Sequence, residues 1–273
     1  MKYLCCLLII LLTITSCSPK EEYSLINVAV SQEPVTSDVM VNTSLTGRII
    51  LVGSVYERLL VLDGDGNIRP ELASSYSLSQ DGRKLSLKIR EDVVFHNGEK
   101  MDEEDVVSSL NRWLSVYGKA REMVGEAVFS IEGEDMVSIS GENNLTFLPY
   151  LMASAPQSAI IIPKECIESG EDLIVFAPGT GPYTLKEWKS GEKIVLSAFK
   201  EYQSCSDESN GVWGEKRAEV EEINYYFVPD STTRLLGLKN GEYDFINDLM
   251  SDDRVLLEKD PKLEIVDGEE SGL

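Results

Sequence analysis

The chain has 273 residues, with 47 acidic against 25 basic side chains and a formal net charge of −22 at pH 7. A hydrophobic fraction of 42% and a charged fraction of 26% are typical of a globular protein and exclude a disordered one. The charge argues against nucleic acid as a partner, because no stripe of Lys and Arg is present to replace the counterions of phosphates.

The N-terminus has the organisation of an export signal. Lys2 supplies a positive charge, Leu4 to Leu12 are apolar, and small or polar residues lead to Cys17. The apolar run is too short to span a bilayer as a helix. A cysteine after Ile-Thr-Ser resembles the bacterial lipoprotein signal, so we predict a signal peptide over 1–16, lipid attachment at Cys17 and a tether over 17–23. The alternative is an ordinary signal peptide with an incidental cysteine; both interpretations put the protein outside the cytoplasm.

Two cysteines, Cys166 and Cys205, remain beyond this N-terminal segment. The predicted compartment permits disulfides, and two cysteines allow a single bridge. Spacing does not reveal their proximity, so one Cys166–Cys205 disulfide and two independent thiols both stay open.

The predicted elements alternate between strands and helices. In chain order they are a strand over 24–30, a buried helix over 45–60, a turn at 63–67, a strand over 85–89, a helix from Asp102 to Gly118, a hairpin over 128–139, a second hairpin over 183–196, a strand over 223–228, a helix over 231–238, a strand over 243–246, a helix over 252–257 and a strand over 263–266. This series predicts α/β layers around a partly parallel sheet.

The sequence contains no recognisable catalytic or cofactor-binding motif. It lacks a G-x-S-x-G elbow, a P-loop and an H-E-x-x-H helix, and its single histidine, His96, precedes an Asn-Gly turn typical of a structural role. The segment starting at Asp63 begins like a calcium loop but has Ile68 and Ser74 where the loop needs Gly and Glu. We therefore predict a binding protein without cofactor or metal, and not an enzyme.

Several segments together resemble one family. Val55–Leu60, Pro70–Tyr76, Val94–Glu99, Gly179–Tyr183 and Gly241–Asp244 match, in order and rough spacing, the peptide-binding (dipeptide/oligopeptide, family 5) extracellular solute-binding lipoproteins of ABC importers. The shorter matches Asp81-Gly82, Leu87–Arg90, Glu104–Val106 and Trp188 agree with them. Each segment alone is a weak indication of the family, but together the segments extend over nearly the whole chain after Cys17.

The resemblance implies a periplasmic-binding-protein-like fold (type II, cluster C), with a mixed sheet and an inserted smaller α+β domain. The first domain would comprise residues 24–49 and 174–273, and the inserted domain residues 50–173. The second lobe of such proteins would be missing, so we expect a truncated family member. In the Gly179–Pro182 segment we expect a tight turn, in which glycine provides unusual dihedral angles.

The resemblance also implies a function: capture of peptides outside the cytoplasmic membrane and delivery to an ABC permease and its ATPase, by a monomer held at the membrane through its lipid. The candidate ligand contacts are Gln32, Glu33 and Pro34, in the loop after the first strand, with Glu33 meeting a cationic group of the ligand. The alternative there is a plain strand-end turn. Other possibilities left open are a protein that binds nickel complexes or oligosaccharides, a receptor-like lipoprotein without a role in import, and a nonfunctional remnant. An extracytoplasmic hydrolase is also left open, but the presence of a single histidine, His96, and the absence of catalytic motifs argue against it.

Overall fold

The structure, a computed structural model, describes residues 24–154, 156–169, 173–205, 207–258 and 260–266. The predictions for the signal peptide, Cys17 and the tether lie outside the described residues. The strands are β1 (Leu25–Val30), β2 (Leu60–Leu62), β3 (Ile68–Pro70), β4 (Ala73–Leu78), β5 (Lys84–Ile89), β6 (Phe129–Gly133), β7 (Met136–Ser140), β8 (Tyr183–Lys189), β9 (Lys193–Ala198), β10 (Glu222–Phe227) and β11 (Phe245–Ile246). The helices are α1 (Leu45–Leu51), α2 (Glu103–Val116), α3 (Gly118–Val124), α4 (Leu148–Ser154), α5 (Lys164–Glu168), α6 (Ser231–Asn240) and α7 (Ser251–Leu257).

A five-stranded mixed sheet is formed by the two ends of the described chain. Its strand order is β11-β1-β10-β9-β8. Strand β1 pairs in parallel with both β10 and β11, so that Val28 lies opposite Tyr225 on one side and Phe245 on the other. Strand β9 is antiparallel to its neighbours β10 and β8. The predicted α/β class with a partly parallel sheet is confirmed.

The segment between these two ends is called the inserted segment. It contains the β2–β3 hairpin, a four-stranded antiparallel sheet of order β4-β5-β7-β6, and helices α2 to α5. Its buried side chains belong to the same hydrophobic cluster as those of the five-stranded sheet, for example Trp113 and Leu196. The domain boundaries at 49/50 and 173/174 stay a prediction.

Helix α2 begins where the sequence predicts it. The Asp102 carboxylate accepts hydrogen bonds from the main-chain N–H groups of Glu104 and Asp105, and the Asp105 side chain accepts one from the N–H of Asp102 in return. This reciprocal capping satisfies main-chain donors that the first helical turn leaves without partners. The helix buries Val106, Leu110 and the indole of Trp113.

Two predicted elements are wrong. The helix predicted over 45–60 ends at Leu51, where Val52 takes an extended conformation and Gly53 has a φ of +88°. The apolar residues beyond it are buried in a turn and in strand β2, and a dense apolar run does not distinguish such a segment from a helix. Residues 263–266 form no strand.

The tight turn expected at Gly179–Pro182 does not form: the chain only bends at 181–182, and the glycines there are needed for close packing rather than for unusual dihedral angles. Neither Gly179 nor Gly181 is among the glycines with positive φ. A Cβ atom on Gly179 would lie 1.9 Å from the carbonyl oxygen of Val55, and one on Gly181 would lie 2.3 Å from that of Ser54. Glycine is therefore needed because two main-chain segments touch.

Candidate functional site

The candidate site lies at the edge of the five-stranded sheet where its parallel strands end. Strands β1, β10 and β11 run in the same direction, and β8 shares it because β8 and β10 are both antiparallel to β9. The loops after these strands therefore meet at one edge. In open α/β sheets, ligands bind outside the carboxyl ends of the parallel strands.

The loops at this edge are joined to one another by hydrogen bonds. The N–H of Ser31 donates to Asn247 Oδ1 at 3.1 Å, and the Ser31 hydroxyl donates to the Asp248 carboxylate. The Arg234 guanidinium, only 3% exposed, donates to the carbonyl oxygens of Val228 at 2.7 Å and Asp248 at 3.2 Å. These contacts hold the ends of β1, β10 and β11 in a fixed arrangement.

Glu33 is bound to the β8–β9 hairpin. Its Oε1 accepts a hydrogen bond from Trp188 Nε1 at 2.7 Å, and its Oε2 accepts one from the N–H of Gly191 at 2.9 Å. Partial burial acts to raise the pKa of Glu33, but these bonds and one from Ser190 leave that pKa below its ordinary value. The carboxylate is ionised at neutral pH and fixes the loop after β1.

The other two predicted contact residues lie on either side of Glu33. Gln32 is exposed to solvent, whereas Pro34 is buried against the start of α1, where a Cβ on Gly47 would lie 3.4 Å from Pro34 Cβ. Gln32 therefore has the accessible side chain, and Glu33 and Pro34 hold it in position. Ligand contact by Gln32, Glu33 and Pro34 stays a prediction.

Exposed apolar side chains surround this loop, and sequence reasoning missed them. Val35 is 87% exposed, and Leu45 and Ile49 of α1 are more than half exposed. Phe176 is 57% exposed, has a left-handed φ of +58°, and meets the Trp188 ring edge-on at a centroid distance of 5.9 Å. A bulky residue with positive φ is strained, and neighbouring exposed apolar groups are typical of binding surfaces. No sequence pattern marks Phe176.

His96 has the structural role that the sequence favours. Its Nδ1 accepts a hydrogen bond from the N–H of Gly179 at 3.2 Å, so Nε2 carries the proton and donates to the carbonyl oxygen of Gly181 at 2.9 Å. Burial lowers the pKa of His96, and the hydrogen bond to Gly181 offsets this only in part. The neutral ring joins the inserted segment to the chain entering β8.

The segment starting at Asp63 is a hairpin turn between β2 and β3. The Asp63 carboxylate accepts hydrogen bonds from Arg69 Nε at 2.7 Å and from the N–H groups of Asp65 and Asn67. The Arg69 bond contributes most to lowering the pKa of Asp63 to about 2. The carboxylate is thus occupied by donors of the fold. Within the described ranges, no three His, Cys, Asp or Glu side chains are grouped closely enough to hold a metal ion.

The cysteines form no bridge in the structure. Cys166 lies on α5 in the inserted segment, and Cys205 lies in the connection between β9 and β10, where its thiol donates to the carbonyl oxygen of Gly214 at 2.9 Å. The two thiols are on separate elements and both are free.

Among the described helices, none is long and apolar enough to cross a bilayer.

Residues 67–273 match the family model of the bacterial extracellular solute-binding proteins, family 5. The glutathione-binding protein GsiB of Salmonella paratyphi A is 26% identical over 215 residues, which are 78% of this chain and 40% of that protein. The nickel-binding periplasmic protein of Escherichia coli is 27% identical over 196 residues, 70% of this chain and 35% of that protein. The chain thus spans less than half the length of these relatives.

A solved structure has the same fold. The dipeptide-binding protein of Pseudoalteromonas sp. SM9913, in complex with Met-Leu, superposes with a TM-score of 0.73 at 20% identity, covering 87% of this chain and 50% of that one. At this identity the similarity establishes the fold, and the predicted periplasmic-binding-protein-like class is confirmed.

Proposed function

Because the chain belongs to the bacterial extracellular solute-binding proteins, family 5, we propose that it is the substrate-binding component of an ABC importer. It captures peptides outside the cytoplasmic membrane and passes them to a permease that an ATPase drives. Its relatives are solute-binding proteins, which points to binding and not to catalysis.

The observation that carries the proposal is the composition of the carboxyl edge, which is the edge of the five-stranded sheet where strands β1, β10 and β11 end. Polar loops held in one arrangement by Arg234 adjoin exposed apolar groups such as Val35 and Phe176. Extended peptides are recognised by hydrogen bonds to their main chain and by pockets for their side chains. Gln32 offers an accessible amide for the first, and the apolar groups offer contacts for the second.

The proposal includes attachment to the membrane through Cys17. Two acyl signals hold a protein stably at a bilayer where one does not, and a lipidated N-terminal cysteine supplies several chains. Mass spectrometry of the N-terminal peptide from membranes tests this, since we expect acyl chains on Cys17 and their loss in Cys17→Ser. A membrane-bound Cys17→Ser variant would contradict lipid attachment.

Calorimetric titration of the whole chain with peptides of two to five residues tests the ligand. Peptides are expected to bind saturably, and Gln32→Ala is expected to weaken binding about fivefold, the equivalent of one hydrogen bond. Gln80→Ala is the matched control, because Gln80 is also exposed but lies in the turn between β4 and β5; its affinity should equal that of the unaltered chain.

Glutathione and nickel(II) are titrated in parallel, because the relatives named above bind them. Saturable binding of glutathione agrees with the proposal, since glutathione is itself a short peptide. Binding of nickel(II) with no response to any peptide would overturn the peptide assignment. Equal affinities of Gln32→Ala and Gln80→Ala would remove Gln32 from the site.

A further inference from the structure

Two aromatic side chains near the carboxyl edge form an open corner. Phe176 lies in the segment before β8, and Trp188 lies near the end of β8. Their ring planes are inclined at 79° and their centroids are 5.9 Å apart. Phe176 is 57% exposed, whereas Trp188 is partly buried. Because one ring meets the other edge-on, a third ring can stack on one of them and present its edge to the other.

The Trp188 indole is fixed in orientation. Its Nε1 donates to Glu33 Oε1 at 2.7 Å, and the same carboxylate accepts a hydrogen bond from the N–H of Gly191 in the β8–β9 turn at 2.9 Å. The indole also packs against the hydrophobic cluster of the protein. A side chain that is already ordered loses little conformational freedom when a ligand binds to it, so Trp188 forms a rigid wall of the corner.

The main chain of Phe176 is strained and is held on both sides. Its φ of +58° lies in the left-handed region, which glycine adopts freely and a bulky residue does not. The N–H of Phe176 donates to Ser37 Oγ at 2.9 Å. The Tyr56 hydroxyl donates to the carbonyl oxygen of the next residue, Ala177, at 3.1 Å. These contacts keep the Phe176 ring turned towards solvent.

A buried ion pair supports the same segment. The Asp38 carboxylate, in the loop after β1, is 3% exposed and binds the Arg112 guanidinium of α2 through both oxygens. Asp38 Oδ2 also accepts a hydrogen bond from the N–H of Ile174 at 3.0 Å. Backbone strain persists only where the surrounding structure fixes it, and it is concentrated at functional sites. The strained, exposed Phe176 therefore indicates a binding role for its ring.

We propose that Phe176 and Trp188 form a subsite for an aromatic side chain of the bound peptide, with Phe176 as the specificity-determining residue. This inference rests on the proposed function and names the class of peptide that the site prefers. Two ring walls near a right angle offer both of the arrangements that aromatic pairs favour, offset stacking and edge-to-face contact. An aliphatic side chain gains only the burial of its surface there.

Calorimetric titration of the whole chain with Ala-Phe-Ala, Ala-Lys-Ala and Ala-Ala-Ala tests the subsite. The phenylalanine peptide is expected to bind about tenfold more tightly than the alanine peptide, which corresponds to one aromatic contact and the surface it buries. Phe176→Ala should reduce this preference to about twofold, because only the Trp188 wall remains. Phe176→Tyr keeps the ring and should retain the preference.

Phe147→Ala is the matched control. Phe147 is 52% exposed and has an aromatic neighbour, Tyr150, at a centroid distance of 4.9 Å, but it lies in the inserted segment. Its removal should leave the preference for the phenylalanine peptide unchanged. Because Phe176 and Phe147 are both exposed, neither substitution disturbs the buried core.

The outcomes separate the subsite from the proposed function. Equal affinities of the unaltered chain for the three peptides would agree with peptide binding and overturn the subsite. Tightest binding of the lysine peptide would overturn the assignment to an aromatic side chain, since a cation can also lie on a ring face. An undiminished preference in Phe176→Ala, or its loss in Phe147→Ala, would overturn the role of Phe176. Binding of none of the three peptides would overturn both proposals.

Discussion

Replacing Gly179 by alanine would put a methyl group where the carbonyl group of Val55 already lies. The added Cβ would be 1.9 Å from the Val55 oxygen and 3.1 Å from Cδ1 of Tyr56. Both neighbours are buried parts of the core, so the two main-chain segments must separate.

The cost of that separation follows from the contacts it disrupts. Overpacking a rigid site costs about 1–3 kcal/mol. The N–H of His96 donates to the carbonyl oxygen of Gly179 at 2.9 Å, and the N–H of Gly181 donates to that of Val55 at 3.0 Å. Each of these hydrogen bonds contributes about 1 kcal/mol. We expect Gly179→Ala to lower the free energy of unfolding by about 3–5 kcal/mol, which lowers Tm by roughly 6–20 °C for a chain of this size.

Thermal unfolding followed by circular dichroism measures this effect. Gly118→Ala is the matched control, because Gly118 opens helix α3 with nothing within 4 Å of its Cβ position and no positive φ. Its Tm should stay the same or rise slightly, since alanine favours a helix over glycine. A Gly179→Ala variant that unfolds within 2 °C of Gly118→Ala would refute the close-packing explanation.

Three further predictions concern single side chains. Asp102→Ala removes the cap of α2 and should lower stability by about 1 kcal/mol in chemical denaturation, whereas Asp102→Asn keeps an acceptor and should lose less; equal losses would contradict the capping role. Burial lowers the pKa of His96 below its unfolded value, so its contribution to stability is present above about pH 6.5 and declines as the pH falls; the Tm advantage over His96→Gln should therefore shrink from pH 8 to pH 5, and a constant advantage would argue against a buried neutral ring. Trp188→Phe removes a hydrogen bond from Glu33, so the pKa of Glu33, measured by carbon NMR, should rise; an unchanged value would mean that the indole donor does not stabilise the carboxylate.

Part of the candidate site could be located from the sequence. The branched residues of β1 followed by Pro34 mark a strand end, and strand ends at the carboxyl edge of a parallel sheet are where ligands bind. The sequence offered no way to foresee that Glu33 is bound to Trp188 or that Phe176 is exposed beside it, because these contacts join residues far apart in the chain.

Local patterns determined most of the elements and the family. The cap at Asp102, the alternation in β5 and the turn residues of the hairpins act over a few residues, so they can be recognised without tertiary structure. Tertiary packing decided the rest. The helix expected over 45–60 stops at Leu51, Gly179 is required by a carbonyl group more than a hundred residues away, and Glu57 acquires its raised pKa from burial and from Glu71, against the opposing effect of Lys216. Burial and close contact between distant segments are properties of the folded chain, and no local pattern encodes them.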